Sequence, residues 1–437
     1  MAPKPAVLEF PVIPGIDKIV EVVGNIPDSF FLDSADQTHS ARRFSYAGLT
    51  PPDVLSGNSN PWATLDSAYR EIARPVDSSV PFCGGLAGFI GYEGNYRFGL
   101  YDSVLVFDHR ENRSLLASWK LSTTELKTEA DRWMNLLEST PIRDEQTEAA
   151  GKIHFPWTYE RYQEKIQNIK DYLIAGDVYQ INLTGRFEVE TTRSSSSIYK
   201  RLRKISPAPY STFLNCGDFQ ILSASPECFM EINGNQITTR PIKGTRRRSA
   251  YPMEDARLRQ ELLSSEKDGA ELLMIVDLER NDLGKICEYG SVRVGAIHPI
   301  KRGRSLCDEL PLRFDIETFA QVHHLVTAVS GRLKPEITPV AALQTLFPGG
   351  SVTGAPKIRA MEIISELEET PRSVYTGALG YIGAGGNTLL NIPIRTLTKR
   401  GDKVAFHAGG GIVIDSDPLA EYEEMMVKAE GMMKALS

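Results

Sequence analysis

The sequence predicts an α+β fold in which large antiparallel β-sheets pack together as a sandwich, with helices around them. Three observations point there. Short apolar runs bounded by turn residues recur along the chain, among them Phe30-Phe31-Leu32, the stretch from Gly84 to Tyr92, Ser103 to Asp108 and Ser114 to Ser118. Such runs read as short, mostly antiparallel strands. They outnumber what an alternation of parallel strands and helices needs. Glycine-rich nucleotide signals are also missing. The run Gly349-Gly350-Ser351-Val352-Thr353-Gly354 suggests a phosphate loop, but Ala355-Pro356 stands before Lys357, so the Gly-Lys-Ser/Thr ending is absent.

The elements follow in order. A helix is predicted over 123–139. The polar stretch between Pro141 and Phe155 reads as a linker. It divides the chain into an N-terminal region, 1–150, and a larger region, 151–437. Thr158 caps a helix whose apolar positions Tyr162, Ile166, Ile169 and Leu173 keep the helical period, and Gly176 stops it. Strands are predicted at 178–190, 211–216, 219–224, 227–232 and 236–241. Helices are predicted at 254–265, 268–278, 318–330, 338–346, 354–368 and 418–435. Ser194–Ser197 reads as a short serine loop. There is no internal repeat, heptad array or low-complexity tract.

Bulk properties narrow the class. The chain has 437 residues, 41% of them hydrophobic, with a net charge of −7. That suits an enzyme with a sizeable core and opposes a nucleic-acid binder, which needs a basic surplus. The run Arg246-Arg247-Arg248 is too short and isolated to change this. Five cysteines (Cys83, Cys216, Cys228, Cys287, Cys307) form no CxxC pair, so reduced thiols are expected. Met1-Ala2-Pro3-Lys4-Pro5 leads into no signal core, and no apolar run is long enough to span a membrane. The expectation is a cytoplasmic protein without a membrane partner.

Several residues carry chemistry. Lys243, in Arg240-Pro241-Ile242-Lys243-Gly244-Thr245, is either a surface cation or a nucleophile on the floor of a cleft. Glu271 lies within an apolar helical run, where a carboxylate is costly to bury unless paired or metal-bound. Asp417-Pro418 starts a helix on which Glu421 and Glu424 share a face, with Lys428 one turn on. Two like charges so placed repel unless a cation lies between them. Alone, that helix reads as a solvated charged face. Glu227, after Ser225-Pro226, sits between two apolar strands, where desolvation raises a carboxyl pKa toward that of a general acid. Gln180 carries an amide, which is no base near neutral pH. Arg395 lies in an alternating strand and offers a fork for a carboxylate. Ala408-Gly409-Gly410-Gly411 lets backbone N–H groups approach an anion. His324 alone reads as a core histidine. Adjacent His323 makes no metal pair with it, because neighbours on a helix diverge by about 100°.

Taken together, Pro241-Ile242-Lys243-Gly244-Thr245, Ala270-Glu271, the run Asp277 to Asp282, Thr353-Gly354-Ala355-Pro356-Lys357 and Ala408-Gly409-Gly410 resemble the chorismate-using enzyme family. The resemblance covers 155–437 strongly and 1–150 weakly, and it implies the same fold. Lys243 and Gln180 match the branch that makes aminodeoxychorismate; the anthranilate synthases carry alanine at the lysine position, and the isochorismate and salicylate synthases carry lysine at the glutamine position. The resemblance implies Lys243, Glu227 and His324 as catalytic residues. It implies Gln180, Thr245, Thr353, Tyr375, Arg395, Ala408, Gly409, Gly410 and Lys428 as substrate contacts, with Lys357 a further site position. Mg²⁺ on Glu271 and Glu424, aided by Glu421, is implied as the cofactor. Leu32-Asp33-Ser34 and Arg43-Phe44 resemble the family's N-terminal tryptophan pocket, with Asp33 in place of the usual glutamate.

The chemistry so implied is amination of chorismate at C4. The chain lacks a Gly-x-Cys-x-Gly elbow, since Pro81-Phe82-Cys83-Gly84-Gly85 misses the first glycine. A separate glutamine amidotransferase subunit is therefore expected to supply ammonia, and no lyase domain is expected after the last helix. The alternatives are anthranilate synthase component I and a non-catalytic tryptophan-sensing subunit. Lys243 opposes the first, and retention of Lys243, Glu227, Glu271 and Glu424 opposes the second.

Overall fold

The computed structural model describes residues 4–35, 43–143, 151–295, 314–319 and 322–437. Cys307 and most of the predicted linker lie outside the described residues. Among the described residues are two large sheets and a small one. Every strand pairing within the three is antiparallel. The 11-stranded sheet runs from Ala6–Glu9 at one edge through Ser29–Asp33, Tyr210–Asn215, Gln220–Ser225 and Thr396–Arg400 to Lys403–Ile412, Gln180–Glu190 and Gly354–Ala355 at the other. The 9-stranded sheet runs from Arg293–Gly295 through Gln236–Arg240, Cys228–Asn233 and Ala378–Gly383 to Gly85–Ile90 and Asp53–Gly57. Both contain strands from before residue 144 and after residue 176. Phe31 pairs with Phe213 in one sheet, and Phe89 with Leu379 in the other.

The alternation of each strand explains the layering. Inward positions of both sheets, including Phe30, Tyr46, Val106, Leu214, Phe89 and Tyr381, form one core between them. Phe82 stacks on Tyr381 at 4.3 Å and meets Tyr46 edge-on at 5.5 Å. Each such ring buried contributes roughly 2–3 kcal/mol. The outer face of the larger sheet packs on helices through Val22, Trp133, Tyr162, Tyr199, Ile363 and Met425. The outer face of the smaller packs on others through Leu65, Leu272, Val276, Leu283 and Leu343. The predicted sandwich with surrounding helices is what the chain forms.

Helix ends obey local chemistry. Ser122 and Glu125 form a capping box at the start of Thr123–Ser139. Thr158 caps Tyr159–Ala175, which ends on Gly176 at φ 80°. Asp417 caps Pro418–Leu436 with proline in the first turn. Arg395 stands at φ 50° just before the strand Thr396–Arg400, not within a strand as expected, and two further expectations fail. Residues 318–330 are not a helix; Asp315–Thr318, Val322–Val326 and Ala328–Arg332 are strands. Val322–Val326 is buried over four consecutive residues, so its sequence carried no in-out strand alternation. Ser194–Ser197 is not a mere loop either: Ser194 accepts from the Ser197 amide and caps the helix Ser195–Ile205. No helix among the described residues is long and apolar enough to cross a membrane.

Candidate active site

A cavity of about 720 Å³ opens where the small sheet meets the larger one and the C-terminal helix. Its floor is set by the strand Ile242–Arg247, which pairs with Val322–Val326 and bulges between Lys243 and Thr245. Gly244 makes the bulge at φ 75°. A Cβ there would stand 2.8 Å from the Asp268 carboxylate, so glycine is required twice over. The bulge sends Lys243 toward the strand Lys403–Ile412. The position a Gly411 Cβ would take lies 2.9 Å from Lys243 Nζ and 2.6 Å from Gln180 Nε2. Burial pushes the Lys243 ammonium below its usual value, reinforced by Lys428 and opposed by Glu271, Glu227 and Glu424. Gln180 is wholly buried, and neither side-chain polar atom finds a partner among the described residues. It stands behind Gly411 rather than on the cavity wall.

Glu227 is 3% exposed. Burial raises its carboxyl to about 7, and the Ser351 hydroxyl, Lys243 and the Ile242 amide pull the other way. Ser351 Oγ donates to Oε1 at 2.7 Å. His324 bridges two neighbours: Nε2 lies 3.1 Å from Arg395 Nη2 and Nδ1 2.9 Å from Thr245 Oγ1. A guanidinium only donates, so Nε2 accepts and the proton sits on Nδ1. Burial and the Arg395 charge hold the ring neutral, well below its usual pKa. In this arrangement His324 orients Arg395 and Thr245, and its Nε2 has no proton to give. Burial lowers Arg395 to about 10, and no carboxylate pairs with it among the described residues. A desolvated guanidinium facing a cavity calls for an anion.

Tyr375 stacks on His407 at 5.1 Å, and both line the cavity with Ala408, Gly409 and Gly410. Lys428 Nζ bonds the Gly409 carbonyl at 3.0 Å and pairs with Glu424 at 2.7 Å. Thr353 and Lys357 are not brought to the cavity wall. Thr353 Oγ1 donates to the Gly349 carbonyl, and Lys357 ties Asp282 to the Leu346 carbonyl.

Three carboxylates, Glu271, Glu421 and Glu424, line the same cavity. Burial raises Glu271 and Glu421, and each feels Glu424 as a further like charge. Glu424 is held low by Lys428. Ser416 donates to Glu421 at 2.7 Å. Facing carboxylates of this kind suit a hard divalent cation that keeps waters and adds a substrate carboxylate. Among the described residues, no three acidic, histidine or cysteine side chains stand close enough together to hold a metal ion by themselves.

The N-terminal residues form a separate cluster. Asp33 is buried against Arg203 at 2.5 Å and Tyr199 at 3.2 Å, and burial raises its carboxyl despite the arginine. Ser34 bonds Ser45 and the Phe44 carbonyl, and Leu32 and Phe44 pack on the inter-sheet core. Arg43 turns away, to a two-pronged pair with Asp108.

Sequence reasoning gave no role to Ser351, Asn182, His407 or Arg372. Ser351 lay in a quoted motif; Arg372, between Pro371 and Ser373, had no local signal.

Comparison with known proteins agrees with this geometry. The family model of chorismate binding enzymes matches residues 91–434. Aminodeoxychorismate synthase component 1 of Bacillus subtilis (strain 168) is 34% identical over 435 residues, covering 90% of this chain and 89% of the relative. Anthranilate synthase component 1 of Methanothermobacter thermautotrophicus is 34% identical over 440 residues, covering 93% and 89%. The crystal structure of anthranilate synthase component I from Streptococcus pneumoniae TIGR4 superposes with a TM-score of 0.78 at 31% identity, covering 90% of this chain and 93% of that one. With its fold, its lysine-floored cavity and an arginine that meets no carboxylate among the described residues, the chain belongs to the chorismate-binding enzyme family.

Proposed function

We propose that this protein aminates chorismate at C4 to give 4-amino-4-deoxychorismate, a step toward 4-aminobenzoate and folate, with ammonia from a separate glutamine amidotransferase subunit. The observation that carries the proposal is the meeting of Lys243 Nζ and the Gln180 amide at Gly411. The amine is a nucleophile once neutral, and burial favours that form. The amide activates no water, which favours ammonia over hydrolysis.

The residues divide the work. Arg395 and the Gly409-Gly410 backbone hold carboxylates of the substrate, and Tyr375 walls the ring. Lys243 Nζ bonds to C2 as the ring double bonds shift and the C4–O bond breaks. Glu227 gives its proton to the departing oxygen, which leaves as water. Ammonia then bonds to C4, its extra proton passes to the Glu227 carboxylate, and Lys243 departs with its electron pair. The sum is chorismate plus ammonia to aminodeoxychorismate plus water. Glu271 and Glu424, with Glu421 beside them, would hold Mg²⁺, which when bound neutralises the ring carboxylate.

The test is incubation of the purified chain with chorismate, Mg²⁺ and ammonium, with the product identified by mass and retention. 4-Amino-4-deoxychorismate is expected. Anthranilate as the sole product would favour the second reading, which the similarity to an anthranilate synthase component keeps in view. Glutamine should not replace ammonium until a glutaminase subunit is added; the relatives' designation as a component 1 supports that partner.

A further inference from the structure

Glu227 has two carboxyl oxygens, and the cavity distinguishes them. Oε1 accepts a hydrogen bond from Ser351 Oγ at 2.7 Å, and both residues are at least 95% buried. Ser351 belongs to the short 3₁₀ turn Gly350–Val352. That turn is pinned from both ends. Thr353 Oγ1 donates to the Gly349 carbonyl at 3.0 Å, and Arg372 Nη1 donates to the Val352 carbonyl at 2.8 Å. Glu227 itself is fixed at its backbone, where the Ile392 amide donates to its carbonyl and its own amide donates to Ser225 Oγ. The backbone beneath each partner of the Ser351–Glu227 bond is therefore held in place.

We propose that Ser351 is a positioning residue that decides which oxygen of Glu227 carries the proton. An oxygen already accepting from a hydroxyl is the poorer place for a carboxyl hydrogen, because the two hydrogens then crowd one atom. The proton therefore resides on Oε2, and that is the oxygen that delivers it to the leaving hydroxyl. After delivery the Ser351 hydrogen bond stabilises the carboxylate left behind, and it strengthens as the charge develops. Lys243 acts on Glu227 as a charge, Glu279 and Tyr375 sense it across the packing, and the Ile242 amide also favours its carboxylate, so the Ser351 hydroxyl is the side-chain donor that distinguishes the two oxygens. The inference rests on Glu227 being the acid of the proposed reaction.

The experiment compares the native protein with Ser351→Ala, Ser351→Thr and Glu227→Gln. It measures kcat and kcat/KM against pH and, independently of turnover, the titration of ¹³C-labelled glutamate carboxyls by NMR. Activity that needs a protonated Glu227 falls as pH rises through its pKa. Ser351→Ala removes a donor that favours the carboxylate, so the alkaline limb and the Glu227 resonance should both move up by about one pH unit. kcat should fall about tenfold with KM little changed, and Ser351→Thr should restore most of both. A serine that merely packs would lower the melting temperature and leave limb and resonance in place; that result overturns the proposal. If Ser351→Ala does not fold, Ser351→Cys, with its weaker donor, is read the same way. Glu227→Gln separates the two layers. A lost limb and lost rate with an unmoved Ser351→Ala limb refutes only the serine's role. An intact limb in Glu227→Gln refutes the acid assignment itself.

Discussion

Glu368 and Arg372 close a two-pronged ion pair in the interior, Nε to Oε2 at 2.8 Å and Nη2 to Oε1 at 2.7 Å, with side chains 5% and 1% exposed. The remaining donors of Arg372 reach the Val352 carbonyl, the Asn182 carbonyl and Thr376 Oγ1. Glu368 in turn receives the Thr184 amide and hydroxyl. Three cavity-lining segments thus hang on one guanidinium: the Ser351 turn, the Gln180–Glu190 strand and the approach to Tyr375. Thr376 beside it is buried at φ 60°, an unusual place for a β-branched residue.

Glu368→Ala should therefore leave a buried unpaired cation and cost about 3–5 kcal/mol. Arg372→Lys keeps charge but loses the fork, and should fold with at least a tenfold lower kcat/KM. Urea denaturation and steady-state kinetics on the two variants check this. Unchanged stability in Glu368→Ala would contradict it.

Lys243→Ala should lower turnover by about a thousandfold without unfolding the chain, and Lys243→Arg should not recover it, because a guanidinium stays protonated. Withholding ammonia should let a substrate adduct build up on the peptide that holds Lys243. Mass spectrometry after trapping reads this. A near-normal rate in Lys243→Ala with no adduct would reduce the lysine to a pocket charge.

Gly411→Ala places a methyl within 3 Å of both the Lys243 amine and the Gln180 amide. Contacts so short force one of them aside. Turnover should fall by about a hundredfold while the melting temperature shifts by only a few degrees, since the flexible lysine end gives way first. Calorimetry with chorismate should show that binding survives better than rate.

Chelation should abolish turnover, and Glu271→Gln or Glu424→Gln should weaken Mg²⁺ and chorismate binding together, by about tenfold or more each. Titration calorimetry of Mg²⁺ with and without chorismate measures both. Full activity in excess chelator would remove the metal from the reading.

Much of this site was legible before any coordinates. Lys243, Glu227, Glu271, Glu421, Glu424, Tyr375, Arg395 and Gly409 share one cavity, as their motifs implied. Local chemistry also announced the Thr158 and Asp417 helix starts. What failed did so for physical reasons. His323 and His324 sit on a strand, so they face opposite sides rather than diverging around a helix; His323 bonds Asp255 and Thr318, and His324 bonds Arg395. Thr353 was implied as a contact because its motif resembles the family's, yet its hydroxyl is spent closing its own turn. Arg372 was invisible because Glu368 and Thr376, four residues to either side, share no helix with it, and its other partners, at positions 182 and 352, reach it only through tertiary packing.

The interleaving of the sheets has a consequence for biosynthesis of the molecule. Strands Ser29–Asp33 and Gly85–Ile90 each pair on one side with a strand of the first third, Phe44–Gly48 and Tyr96–Tyr101, but find their second neighbours only when residues near 213 and 379 have been made. Until then they are exposed, apolar edges with unpaired backbone groups, the state in which strands recruit the wrong partner. Folding dominated by pairings so distant in sequence is slow. A nascent chain halted in its first third can form its local pairings but leaves one edge of each of these two strands without its native partner. The same dependence means that a fragment begun after residue 150 carries two raw sheet edges, at Tyr210–Asn215 and at Ala378–Gly383, into solution.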